Sequence, residues 1–130
     1  MTTLDPAYPN PEEKPVNYPT YLTPCEFKTA TICGSMRFYD RMIKVAERLT
    51  GEGVVVLMPF VTVQETEQGD EFKAMLDRMH KRKIDMSDHI VVVTDPDKPY
   101  VGESTNSEIQ YAAATEKPIR WALEPALDAE

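Results

Sequence analysis

His89-Ile90-Val91-Val92-Val93-Thr94, then a loop of Asp and Pro, then Gly102-Glu103-Ser104-Thr105-Asn106-Ser107-Glu108-Ile109-Gln110-Tyr111-Ala112: the reading of this stretch decides the fold. The first segment is a short apolar run rich in β-branched residues, the pattern of a buried parallel strand. The second opens with Gly, Ser, Thr and Asn and continues into helix formers, the pattern of a helix start. We read strand, loop, helix N-terminus, with the helix over about residues 105–115 and Glu108 in its first turn. In open α/β sheets ligands bind where strand ends meet helix starts. Glu108 is therefore the candidate reactive group.

Working outward, the same alternation recurs on both sides. Residues 28–33, Lys28-Thr29-Ala30-Thr31-Ile32-Cys33, form a short buried strand, and Gly34-Ser35 turns into a helix from near Met36 to about Thr50. Phe38, Met42, Val45, Ala46 and Leu49 give that helix one apolar face, and Gly51 and Gly53 stop it. The unbroken run Val54-Val55-Val56-Leu57-Met58 suits a parallel strand covered on both faces. A polar connection from Phe60 to Gly69 leads to a second helix, about Asp70 to Ile84, with Phe72, Met75, Leu76 and Met79 inward. Pro118-Ile119-Arg120-Trp121-Ala122 is the last strand. Right-handed crossovers turn this β-α-β-α-β-α-β order into a small three-layer α/β fold, a parallel sheet with helices on both faces. It occupies residues 27–123. Residues 1–26 hold six prolines and three tyrosines and read as an extended arm, and residues 124–130 as an acidic tail.

The chain has 130 residues, 14 Lys and Arg against 22 Asp and Glu, and a net charge of −8. That is one domain, with enough chain to bury roughly two-thirds of its unfolded surface. The acidic balance repels a phosphate polymer, so no nucleic-acid polymer is expected as partner. Cys25 and Cys33 have no metal-ligand spacing. No signal-peptide pattern and no apolar run of spanning length stand out, so we expect no membrane partner and a cytoplasmic protein with reduced thiols.

Each candidate site residue has a plain structural reading beside the chemical one. Thr105-x-x-Glu108 is a capping box, in which each side chain satisfies the other's backbone N–H. Alternatively, Glu108 is kept ionised by the helix dipole and attacks a sugar carbon from the mouth of a cleft. Gly34-Ser35-Met36-Arg37 is either an ordinary strand-to-helix turn or an anion cradle in which Arg37 adds a bidentate contact. The Gly-Lys-Ser/Thr ending of a Walker loop is missing. His80 is either a partly exposed helix residue or a group that protonates a leaving base near neutral pH. Asp88 reads as a turn former, and Tyr39 and Tyr111 either as core or rim aromatics or as rings that stack on a nucleobase.

Thr31-Ile32-Cys33-Gly34-Ser35-Met36-Arg37, Ser87-Asp88-His89-Ile90-Val91-Val92-Val93, the Gly102–Ala112 stretch and Lys117-Pro118-Ile119 together resemble the nucleoside 2-deoxyribosyltransferase superfamily. That superfamily includes the 2'-deoxynucleoside 5'-monophosphate N-hydrolases. The resemblance implies a flavodoxin-like or Rossmann-like fold and a homodimer or larger assembly, with sites completed by a neighbouring subunit. It implies cleavage of an N-glycosidic bond through a glycosyl-carboxylate, with no metal or redox cofactor. The family's nucleophilic Glu falls on Glu108, and its phosphate-binding turn on Gly34, Ser35, Met36 and Arg37. Its supporting Asp falls on His80, a second carboxylate or serine on Gly102, and a Tyr on Thr31. We assign the supporting role to His80 or Asp85, and sugar binding to Ser104, Thr105 and Asn106. Two functions follow. One is a hydrolase or transferase acting on a nucleoside or its 5'-monophosphate. The other is a nucleotide-binding sensor or interaction module that has lost the chemistry.

Overall fold

A computed structural model describes residues 26–60 and 69–123. The arm up to residue 25, most of the polar connection (residues 61–68) and the acidic tail lie outside the described residues. Strand β1 is Thr29–Gly34, followed by a 3-10 turn at Met36–Phe38 and helix α1, Tyr39–Gly51. Strand β2, Val55–Leu57, precedes α2, Gly69–Asp85; β3, His89–Val93, precedes α3, Glu103–Ala114; and β4 is Ile119–Ala122. All strand pairings are parallel, in the order β2-β1-β3-β4.

The period of two along each strand sorts the core into two layers. Ala30 and Ile32 of β1 and Val91 and Val93 of β3 face α1, where Met42, Val45 and Leu49 close the packing. Cys33, Ile90 and Val92 face the other way, against Ile84 of α2 and Ala112 of α3. The fold is therefore a small Rossmann-like three-layer sandwich. Each fully buried Ile, Leu or Met in it stabilises the fold by roughly 1.5–3 kcal/mol. Gly53 ends α1 in the left-handed region, at φ +84°, where a side chain would be strained.

Two expectations are corrected. The run at Val54–Met58 is not covered on both faces: β2 is an edge strand, and Val55 is 49% exposed. A continuous apolar run looks the same on an edge as in the middle of a sheet. The buried residues of α2 are His80 and Ile84, while Met75 and Met79 turn outward. Methionines at helical spacing looked like core, but the face that meets the sheet is rotated onto His80 and Ile84.

The chain leaves β1 towards β2 with α1 on one face, then returns past β1 to β3 with α2 on the other. The direction of winding reverses between β1 and β3, so a crevice opens beyond their carboxyl ends. Gly34 closes β1 at that point and pairs with Val93. A Cβ on Gly34 would lie 2.6 Å from the Val93 carbonyl oxygen and 3.0 Å from the Met42 side chain. A close approach of backbone, rather than a bend, fixes glycine here. Gly34→Ala is expected to cost about 2 kcal/mol, the usual penalty for overpacking. Urea denaturation should show a lower midpoint at unchanged slope.

Candidate functional site

The crevice is lined by Gly34 and Met36 from the end of β1 and its turn, and by Pro59 and Phe60 beyond β2. Lys73, Leu76, Asp77, Met79, His80 and Lys83 come from α2, and Ser104 and Glu108 from α3. α3 starts earlier than the sequence pattern suggests. Its N-cap is Gly102, with no side-chain cap bond, and Asn106 N donates to the Gly102 carbonyl. The capping box is thus corrected: Thr105 lies inside the helix, and Glu108 sits in the second turn, facing inward at 8% exposure. Its carboxyl group has no part in closing the helix end.

Glu108 meets two other polar groups instead. His80 Nε2 lies 3.6 Å from Glu108 Oε2. The same nitrogen shares a hydrogen bond with Cys33 Sγ at 3.4 Å. The donor atoms of Cys33, His80 and Glu108 all lie within 4.8 Å of one another, and all three residues are buried. His80 Nδ1 is buried with no hydrogen-bond partner among the described residues. A nucleophile–imidazole–carboxylate relay uses the two ring nitrogens separately. Here both partners converge on one nitrogen, so the cluster is not a relay.

Burial sets the protonation states, and it reverses the expectation that Glu108 is ionised. Burial first, then the negative charge of Asp77, raises the Glu108 pKa to about 8, against a smaller pull from Lys81. Burial first, then the positive charge of Lys83, lowers His80 to about 4. Burial, reinforced by Glu108, also pushes the Cys33 thiol up. At neutral pH the carboxyl group holds its proton and the imidazole is neutral. The helix dipole does not keep Glu108 ionised, because the group lies beyond the first turn, where the dipole's effect fades.

The crevice brings together Gly34, Met36, His80, Ser104 and Glu108 from the sequence candidates. The others lie outside its lining. Ser35 accepts from Arg37 N at 3.3 Å, capping the 3-10 turn. The Arg37 guanidinium stacks on the Tyr100 ring, 3.8 Å from its centroid. Asp85 is exposed and accepts a 2.6 Å hydrogen bond from the Tyr111 hydroxyl. Thr105 is buried, and Asn106 is exposed. Asp88 Oδ2 accepts from Thr29 N at 2.8 Å, which ties β1 to the start of β3.

Sequence reasoning missed Cys33 and Asp77. Asp77 and His80 are three residues apart and share a helix face, a spacing that was available to read. Lys83 Nζ donates to the Met58 carbonyl at 2.8 Å and stands 5.3 Å from the Phe60 ring centroid, closing one wall of the crevice. Cys33, in an apolar strand, gave no signal apart from any buried small residue.

A comparison with protein-family models finds no match for the chain, and a search of curated proteins finds none either. Among the described residues no helix is long and apolar enough to cross a membrane.

Proposed function

We propose that this protein cleaves the N-glycosidic bond of a nucleoside or nucleoside 5'-monophosphate, with Glu108 as the attacking group. One observation carries the reading: the Glu108 carboxyl group is turned into the crevice at the β1/β3 switch point, against the His80 imidazole, with no duty to its own helix. A buried carboxyl group with a strongly raised pKa, in a crevice, is a common mark of a reactive site.

The chemistry runs on one proton shared by the pair. The neutral His80 Nε2 takes the proton of Glu108. The freed carboxylate attacks the anomeric carbon as the carbon–nitrogen bond breaks through an oxocarbenium-like transition state. The bonding electrons leave with the base, and the imidazolium returns its proton to the base nitrogen. The sugar is then held as a glycosyl ester of Glu108. Water gives a proton to His80 and attacks the same carbon, releasing the sugar and the carboxylate. A second base in place of water would make the reaction a transfer. Met36, Leu76 and Met79 give the crevice apolar walls suited to a base, and Ser104 stands within the same lining to meet the sugar.

Mass spectrometry of the protein quenched with a panel of nucleosides and nucleoside monophosphates is expected to show one added sugar mass on the peptide carrying Glu108. Tight binding of a nucleotide with no adduct and no released base would turn the reading over to the sensor or interaction module.

A further inference from the structure

The proposed chemistry uses Glu108 and His80 and leaves Cys33 unexplained. A thiol sits beside both groups, buried, at the end of the central strand. The three side chains come from different elements: Cys33 from β1, His80 from α2 and Glu108 from α3; His80 and Glu108 line the crevice, and Cys33 lies buried behind them. Each presents a different kind of donor atom, sulfur, nitrogen and oxygen, to the same small volume. Zn²⁺ takes all three kinds, at about 2.3 Å for sulfur and about 2.0–2.2 Å for nitrogen and oxygen. Tetrahedral angles at those lengths put neighbouring donors about 3.4–3.6 Å apart. The separations in the fold are 3.4 Å for Cys33 Sγ to His80 Nε2 and 3.6 Å for His80 Nε2 to Glu108 Oε2. The remaining pair, Cys33 Sγ to the Glu108 carboxylate, lies within 4.8 Å and closes to about 3.5 Å when both groups reach one ion.

We infer that Cys33, His80 and Glu108 form a binding site for one Zn²⁺ ion, with a fourth position open to water from the crevice. Soft thiolate with imidazole and carboxylate favours zinc over magnesium or calcium, which prefer oxygen ligands alone. An ion held there takes up the carboxylate and the imidazole nitrogen together, so zinc switches off the glycosidic chemistry. That last step rests on the reading given under Proposed function, whereas ion binding does not.

Cobalt(II) tests the site, because it takes zinc's place and absorbs light. Full-length, chelator-stripped protein titrated with Co²⁺ is expected to saturate at one ion per chain. A thiolate-to-cobalt charge-transfer band and the strong visible bands of a four-coordinate ion should appear, and added Zn²⁺ should bleach both. Cys25→Ser should keep the charge-transfer band and Cys33→Ser should lose it. Glu108→Gln should keep the band but bind at least about tenfold more weakly, as expected for a lost ligand. The inference is overturned if the unaltered protein gives no such band, if the band survives Cys33→Ser, or if it disappears in Cys25→Ser. Should Cys33→Ser fail to fold, an unchanged affinity in Glu108→Gln overturns it just as firmly. Turnover in chelator that stops with one equivalent of Zn²⁺ and returns with more chelator supports the switch. Cobalt binding by a protein that shows no turnover in chelator sinks the enzymatic reading and leaves the ion site standing.

Discussion

Glu108→Gln is expected to abolish turnover and, at pH 8, to raise the melting temperature. The loss of turnover follows from removing the attacking group, and for a nucleophile it should reach about 10⁴-fold or more. The gain in stability follows from linkage. In the unfolded chain a glutamate ionises near 4.5, whereas in the fold Glu108 keeps its proton up to about 8. A carboxyl group whose folded pKa is raised costs nothing below the lower value. It destabilises the fold progressively as pH climbs from there to about 8. At about 1.4 kcal/mol per pKa unit, the cost at pH 8 is several kcal/mol. Glutamine fills the same space, cannot ionise in either state and so escapes that cost.

In a domain of this size the melting temperature at pH 8, with chelator present, should rise by about 10 °C or more. At pH 4 the two proteins should melt together, because the carboxyl group is then neutral in both states. At that pH His80 faces an uncharged group in both proteins, so it cancels from the comparison. A capping glutamate would behave in the opposite way, since its loss costs about 1 kcal/mol. A variant that melts lower than the parent at pH 8 would sink the buried-acid account.

The rate should also trace a bell. The pair needs one proton between its two members, and both limbs belong to the pair. Below about 4, His80 is already protonated and cannot take the proton of Glu108. Above about 8, the Glu108 proton is gone and none is left for the departing base. Between these values kcat/KM should be flat, falling about tenfold per pH unit beyond either limb. Steady-state rates from pH 3.5 to 9.5 in chelator would check this. A rate that climbs through pH 8 would mean that the carboxylate acts alone, with no proton from His80.

These expectations depend on which way one side chain points, and that was open in the sequence. Thr105 and Glu108 have the spacing of a capping box, and the same spacing serves a residue inside a helix. The choice turned on where the helix begins. Gly102 takes the N-cap, so Glu108 moves one turn inward and over the sheet. His80 was legible as one of two histidines, but its neutrality was not, because burial is a property of the packed layers. Arg37 showed its charge in the sequence, whereas its stacking on Tyr100 depends on a distant loop. That loop is held by Thr94, whose hydroxyl bonds both the N–H and the carbonyl of Tyr100.

The amino-acid order alone determined the run of strands and helices, the parallel sheet and the placing of Glu108 after its third strand. Those features follow from local periodicity and from chirality, which act along neighbouring residues. Only the tertiary structure decided that Cys33, His80 and Glu108 meet at one nitrogen and that the acid keeps its proton. The three residues lie 47 and 28 positions apart along the chain, and no local rule couples residues so far apart. Their chemistry is set by the water that the packed helices exclude.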